Sequence, residues 1–462
     1  TKSYNTTSGS QTFGVLTSET DALGRTTRYF YDQKGKLSAT INPDNSTGMV
    51  YTTDAIGNVI KVEPASFNGS TSSAVKNAEF VEYEYTNGAL SKIITDSTSY
   101  TLNYNVFGES TSVKIGNQTI VSYTYQPNNG KLSTITYGNG TVVQNIYDEL
   151  DRLSEVWYNK SGETSYKAYE YEYDANGNLN RFVDLLENKQ YLYKYDDQAR
   201  MVGFVESSNS VNLASSTVTY DEQSRIHLLS FRKDYSTFSS AANLKLTYQY
   251  NYNDRNELSK TSLETGHSSF VFTPSYDALN RVSSVSTKVT SGSNTITATT
   301  AYSYTSNGTN RSMQGSQVIS TVGSNSTTYN YTYDNNGNIT QITNAGGVIQ
   351  NKYYYDDIGR LVREDNKAAN KTYTWTYDNA GNILTKKTYI FTTGTLGSVQ
   401  STVTYEYNDT TWGDKLTSYN GTTITYDAIG NPLSYYNGQS YSFGWNGRQM
   451  TSATKGSTSL SY

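Results

Sequence analysis

Cysteine is absent from the 462 residues, so no disulfide can staple the fold and no thiolate can act as nucleophile or soft ligand. Histidine is nearly absent: His227 and His267 are the only two, set in separate repeats without convergent partners, and both read as surface or packing residues. No apolar run approaches the roughly 20 residues that span a bilayer. The formal net charge of −5 leaves no basic footprint for nucleic acid or for an anionic membrane. There is no nucleotide-binding glycine loop, no Ser-His-Asp order, no zincin motif and no convincing helical pattern. No signal peptide is visible. Thr1 in place of an initiator methionine reads as the start of an excised piece of a longer chain.

What is present is tyrosine, 45 of them against 13 Phe and 4 Trp, among abundant Ser, Thr, Asn and Gly. That mixture suits strands with half-polar aromatic faces and many turns. Low hydrophobicity alone would suit disorder, but the small net charge and the dense aromatics argue against it.

Aligned on its tyrosines, the chain repeats one phrase: Tyr-Asp, two variable residues, Gly, a polar residue, an aliphatic residue. Clear copies begin at Tyr31, Tyr173, Tyr333, Tyr355, Tyr377 and Tyr426. Their turn residues are Asp32 and Gly35, Asp174 and Gly177, Asp334 and Gly337, Asp356 and Gly359, Asp378 and Gly381, and Asp427 and Gly430. Degenerate copies begin at Tyr147, Tyr195, Tyr220, Tyr252 and Tyr276, and two more, at Thr20 and Thr53, lack the tyrosine. A constant phrase with variable spacing means a fixed turn with loops of variable length. Such an array grows in one dimension, which lifts the usual length limit on a single core.

Each position has a physical reason. Tyrosines alternate before the turn, as in Tyr169-Tyr171-Tyr173, so a strand presents them on one face. The Asp can accept backbone N–H bonds across the turn, and the Gly supplies positive φ. Asp151, Asn256 and Asn280 also tolerate that conformation. Ala199 and Ser224 fit it worse, so their turns should differ in shape or carry strain. The aliphatic pairs that follow, such as Leu153 with Val156 and Ile339 with Ile342, are three apart and do not fit a flat strand. A β-bulge accounts for that spacing and adds curvature. The unit is therefore strand, five-residue turn, strand and return. Roughly eighteen such hairpins tile residues 20–450 within one continuous array over residues 1–462. The looser stretches Ser66–Asn77, Ser207–Ser216 and Ser291–Thr300 read as hairpin tips or short excursions. The segment Tyr441–Met450 reads as one more variant repeat.

These phrases resemble the YD-repeat, or rearrangement-hotspot (Rhs), family. It includes bacterial wall-associated and polymorphic toxins, shell components of insecticidal toxin complexes and the barrels of animal teneurins. The resemblance implies an all-β fold in which antiparallel hairpins wind into a curved spiral sheet, a shell that can enclose a C-terminal toxin. It implies a bacterial secreted or cell-wall-associated protein. The family's DPxGL-type plug, its aspartyl self-cleavage site and its toxin module are missing, so self-cleavage and toxicity do not carry over. Some 36 strands spaced about 4.8 Å give a contour of roughly 170 Å, or a ring roughly 55 Å across if closed in one turn.

No cofactor or metal is expected. Asp196-Asp197 and Asp356-Asp357 are paired acids, but a residue type demanded by every repeat is structural by default. Asp174–Asn178 and Asp334–Asn338 faintly resemble the start of a calcium loop without its bidentate Glu. The tyrosine faces are the more interesting surface, since exposed rings stack on sugars or on unfolded chain. Three functions compete: a container for a polypeptide, a glycan-binding adhesin, and a hydrolase. The uniform repeat disfavours the hydrolase, because an active site breaks periodicity. The first and last strands expose sheet edges that neighbouring molecules could pair with.

Overall fold

A computed structural model of the chain describes residues 1–7, 10, 12–69, 74–233, 244–265, 267–308 and 310–461. Among the described residues there is no helix. Thirty-six strands form one antiparallel sheet, and Ser434–Tyr436, Ser440–Asn446, Gln449–Lys455 and Thr458–Ser461 form a second of four. An isolated bridge between Tyr426 and Pro432 lies between the two sheets in sequence. Strands pair in chain order, each with the one before and the one after. The two-residue Val75–Lys76 is an extra piece laid beside Val59–Ser66.

One hairpin shows why the sequence folds this way. Thr141–Tyr147 and Leu153–Lys160 are rich in β-branched and aromatic residues that fit a pleated, half-buried surface. They pair from Thr141 opposite Lys160 to Ile146 opposite Glu155, and then Tyr147 stands opposite Leu153. Ser154 is skipped, so the spacing of three between Leu153 and Val156 is a bulge. The same register shift occurs at Phe30/Tyr31, Glu172/Tyr173, Thr332/Tyr333 and Thr376/Tyr377. A bulge at the same point of most YD hairpins adds twist each time, and a sheet twisted repeatedly one way must curl.

Two of the looser returns are tight tips, at Asn209-Ser210 and at Gly292-Ser293, each joining strands directly. In the third, residues 70–73 lie outside the described residues. Turns of the YD type and plain hairpin tips alternate along the chain. One rim of the sheet therefore carries the YD turns and the other the tips. The Asp21 and Asn344 turns, on the tip rim, and the Asn87-Gly88 tip, on the YD rim, are exceptions.

The curl is tight enough that the sheet meets itself. The Asn307 amide donates to the Leu23 carbonyl (3.1 Å), and the Asn336 amide to Asp44 Oδ2 (2.8 Å). Arg360 reaches Glu79 (3.2 Å), Thr98 bridges to Trp412, and Asn139 donates to Asp427 Oδ2 (2.8 Å). The YD rim of the later strands thus rests on the tip rim of the earlier ones. The hydrogen-bonded partners lie 280 to 314 residues apart. One winding takes about 24 strands, which at about 4.8 Å each is a circumference near 115 Å and a width near 37 Å, more as the strands tilt. The 55 Å ring of the sequence estimate is too wide because it placed all the strands in a single turn.

The wall is one layer thick. The chain exposes 26270 Å², against about 17,000 Å² for a compact monomer of its 51.3 kDa mass. Two small apolar clusters are buried. One gathers Ala39, Ile41, Ala65 and Phe67. The other, Ile115, Ile120 and Ile429 with Tyr100, Tyr137 and Trp412 against it, straddles two windings.

Candidate functional site

The repeat turn is a closed hydrogen-bonded unit. In the Asp148 copy, Oδ1 accepts the amides of Leu150 and Arg152 (both 2.9 Å), and Oδ2 accepts Arg152 Nε (2.8 Å). The Asp148 amide donates to the Arg152 carbonyl (2.8 Å). Where the fourth residue after the Asp is Asn, its side-chain amide replaces the guanidinium. Asn178 reaches Asp174 at 3.0 Å, Asn382 reaches Asp378 at 2.9 Å and Asn431 reaches Asp427 at 2.8 Å. In two copies the roles are exchanged: Asn105 donates to Glu109 and Asn253 to Glu257, both at 2.6 Å. Asp32 accepts the amides of Lys34 and Lys36, and Asp356 pairs with Arg360 at 2.6 Å. Asp334 accepts the amide and side chain of Asn338.

These bonds set the charge state. Asn178 and the turn amides hold the Asp174 carboxyl below the usual carboxylate range, and Arg200 with its amide does the same to Asp196. Both carboxylate oxygens of Asp174 and of Asp334 accept hydrogen bonds within their own turns. Among the described residues no cluster of three or more His, Asp or Glu is placed to hold a metal ion.

Gly35, Gly177, Gly337, Gly359, Gly381 and Gly430 have φ between 76° and 92°. Asp151, Asn256 and Asn280 sit near 60° in the equivalent place, and so do Ala199 (59°) and Ser224 (62°). The last two turns keep the standard bonds, Asp196 N to Arg200 O at 3.0 Å and Asp221 N to Arg225 O at 2.9 Å. Their shape is unchanged, and the cost is carried as backbone strain.

Each anchor tyrosine ties its repeat to the one before. The Tyr173 hydroxyl donates to the Leu153 carbonyl (2.9 Å), Tyr31 to Leu16 (2.8 Å), Tyr333 to Gly315 (2.5 Å), Tyr355 to Ile339 (2.9 Å), Tyr377 to Leu361 (2.7 Å) and Tyr426 to Leu416 (2.6 Å). Trp445 takes over the role in the variant repeat, its indole N–H donating to Pro432 O at 2.7 Å. Where the preceding turn ends in Arg, the guanidinium also lies over the anchor ring: Arg152 over Tyr173 (4.5 Å), Arg225 over Tyr252 (4.2 Å), Arg360 over Tyr377 (4.9 Å). Sequence reasoning saw only a polar residue at that position. Its signal was the restriction to Arg, Asn, Lys and Glu, each matched to the residue that opens the turn.

The turn residues line up along the rims and do not converge on one point. The two histidines stay apart: His227 Nδ1 meets the Tyr250 carbonyl at 3.0 Å, and His267 is at a hairpin tip. Asp196 and Asp356 are absorbed by their turns, while Asp197 is exposed and Asp357, also exposed, sits at the edge of the cleft between the windings. Half-buried rings instead form a stripe across five strands, from Tyr158 and Tyr169 through Phe182 and Tyr191 to Phe204, with centroids 5.7 to 6.5 Å apart. Burial, with repulsion from neighbouring phenols, pushes Tyr158 up to about 12.

A cleft of about 500 Å³ opens between the two windings, lined by Glu19, Asp21, Arg25, Asn42, Asn336 and Asp357 among others. Burial there would raise the Asp21 carboxyl. Its bonds to Arg25 and to the Arg25 and Leu23 amides outweigh that and hold it low. Asp21 is thus a fixed ion-pair partner, unsuited to carry a proton.

A family model described as Teneurin YD-shell matches residues 182–411, and one described as RHS Repeat matches residues 13–47. The chain belongs to the YD-repeat family. The crystal structure of TcdB2-TccC3-TEV aligns with TM-score 0.74 at 14% identity, over 98% of this chain and 24% of that one. The Photorhabdus luminescens Tc holotoxin pore gives 0.71 at 14% identity, over 96% and 24%. TcdB2-TccC3 without its hypervariable C-terminal region gives 0.72 at 14% identity, over 96% and 24%. At that identity the likeness is one of fold, and this YD-repeat chain spans about a quarter of the length of those structures. No curated protein sequence matches it. No helix among the described residues is long and apolar enough to cross a membrane.

Proposed function

We propose that this chain is a length of shell wall, one continuous repeat array over residues 1–462, that encloses a polypeptide in an exported bacterial protein. The signature residues are scaffold in this reading, and the wall works by exclusion, without catalysis. The observation that carries it is a single-layer sheet that overlaps itself after about 24 strands. All described strands belong to the two sheets, so the space inside is left to something else. With side chains taking about 5 Å on each side, the bore is near 27 Å. A folded domain of 100 residues, whose radius of gyration of about 13 Å means a diameter of roughly 34 Å, would not fit, whereas a smaller domain or a chain drawn out along the axis would. The similarity to Tc structures supports a toxin as the kind of cargo. Limited proteolysis of the longer native protein tests this. Cargo cleaved only after the wall is opened supports enclosure; cargo cleaved as fast as the free polypeptide sinks it.

The ring stripe from Tyr158 to Phe204 favours a second reading, a surface that binds cell-surface glycan by stacking. A glycan array distinguishes the two. Binding lost on Phe182→Ala, with cargo protection intact, would favour the adhesin.

A further inference from the structure

Four asparagines donate across the seam where the later winding rests on the earlier one. Asn139 Nδ2 reaches Asp427 Oδ2 (2.8 Å) and the Gly447 carbonyl (3.1 Å), and Asn336 reaches Asp44 Oδ2 (2.8 Å). Asn307 reaches the Leu23 carbonyl (3.1 Å) and Asn446 the Tyr166 hydroxyl (2.8 Å). Each of these four is followed by glycine, although only ten of the chain's 45 asparagines are. The glycines have a local reason. Gly140, Gly308, Gly337 and Gly447 take positive φ, between 58° and 92°, as tight turns require. No turn requires that the amide beside such a glycine also hold one winding to the next.

Asparagine is a thermolabile residue, and glycine after it removes the Cβ that would hinder ring closure. The glycine N–H gives its proton to hydroxide, and the nitrogen bonds to the asparagine Cγ. The Cγ–Nδ2 bond breaks, and that nitrogen leaves as ammonia after taking a proton from water. Water then opens the succinimide. The net change is amide plus water to carboxylate plus ammonium, at an aspartate or an isoaspartate.

At two of the four positions the product is wrong for its partner. Asp427 and Asp44 accept from Asn139 and Asn336, so a carboxylate in place of either amide would set two negative charges at hydrogen-bond distance. Burial would raise the Asp44 carboxyl, but bonds from Thr47, from the Ser46 and Thr47 amides and from Asn336 outweigh that and hold it low. Asn446 differs, since a carboxylate there still accepts from the Tyr166 and Thr141 hydroxyls. The closed seam restrains the reaction. Asn336 Oδ1 accepts the Asp44 amide (3.2 Å) and Asn139 Oδ1 the Thr141 amide (3.3 Å), so each side chain is held at both ends. Asn176 stands at the same place of the Asp174 turn, before Gly177, and is exposed on the rim of the first winding.

We propose that Asn139 and Asn336 are deamidation sites, and that their conversion opens the wall along the seam and keeps it open. The loss of ammonia makes the change one-way. The wall then carries its own lifetime, whatever it encloses.

Ageing the purified chain in mildly alkaline buffer tests this. Peptide mapping by mass spectrometry should find acid at Asn176 first, and at Asn139 and Asn336 later. Ion exchange separates molecules by the added negative charge. X-ray scattering should give a larger radius of gyration for those converted at Asn139 or Asn336 than for those converted at Asn176 alone. Asn139→Asp with Asn336→Asp should expand the fresh protein in the same way, with its β-sheet circular dichroism unchanged. Asn336→Asp alone should speed hydrogen exchange severalfold in residues 42–47. Adding Asp44→Asn should reverse that, because donor and acceptor are exchanged as they are between Asn105 and Glu109. The reversal separates like-charge repulsion from damage to the fold. No acid at Asn139 or Asn336 once Asn176 is fully converted overturns the proposal. So does a converted or substituted seam whose radius stays that of the fresh wild type, and so does exchange that Asp44→Asn fails to restore.

Discussion

At the residue scale, the phrase is a set of small bargains struck in every repeat. Ala199 and Ser224 show one being broken, since both occupy the left-handed region at 59° and 62° inside otherwise regular turns. Leaving that region unfilled by glycine costs about 1–2 kcal/mol, and glycine returns part of the gain as entropy. Ala199→Gly and Ser224→Gly should each stabilise by about 0.5–1 kcal/mol, read as a rise in urea midpoint at unchanged slope. No gain in either variant would mean that the turns are relaxed. The anchor hydroxyl gives a prediction of opposite sign. Tyr173→Phe keeps the ring under Arg152 and removes only the bond to Leu153 O. A loss of about 1 kcal/mol should follow, the ordinary net worth of one hydrogen bond. Because sheet neighbours in such arrays are coupled mainly to each other, hydrogen exchange should rise in the hairpins around residue 153 and hardly elsewhere.

At the scale of the hairpin, most of the structure was legible, and the reasons are local. Tyr173, Asp174 and Gly177 stand at fixed spacing because a five-residue turn needs them there, so the sequence displays the turn directly. The bulge was legible too, because Leu153 and Val156 cannot share a face without it. The Arg152–Tyr173 contact was not, since it joins residues 21 apart in adjacent repeats and the spacing between repeats varies. The hairpin also sets the pH limits. The turn carboxyls of Asp148, Asp174, Asp196 and Asp277 are held low by amides and by the Arg or Asn four residues on. A folded-state pKa below the unfolded value of about 3.9 stabilises fully above that value, and the contribution disappears as pH falls through the lower one. With so many turns titrating together, the urea midpoint should collapse below about pH 4. Tyr158 is the opposite case, raised to about 12 mainly by burial. Its contribution is complete below the unfolded value of about 10 and is lost between there and about 12. A plateau between those limits, with both flanks falling, is the expected profile. A flat response through pH 3 would refute the turn argument.

At the scale of the whole molecule, the winding is what the sequence hid. It rests on contacts between residues roughly 300 apart that follow no motif. Gly138 and Ile429, or Asn139 and Asp427, meet only because of accumulated curl. The same fact makes the seam separable from the hairpins. Ile429 is fully buried between windings, yet its turn is held by Asp427, whose bonds do not involve the Ile side chain. Ile429→Asp would place a charge in that apolar contact, at a cost of several kcal/mol unless the seam opens. Opening is the cheaper response, because the strands on either side keep their ladders. The variant should therefore retain its β-sheet circular dichroism while its radius of gyration by X-ray scattering increases, and the chain near residues 411–448 should become sensitive to protease. The control is Leu150→Asp, at the same turn position on the uncovered rim, where the side chain is 72% exposed and the monomer's radius should not change. If both variants expand the molecule, or neither does, the spiral is not held by this seam.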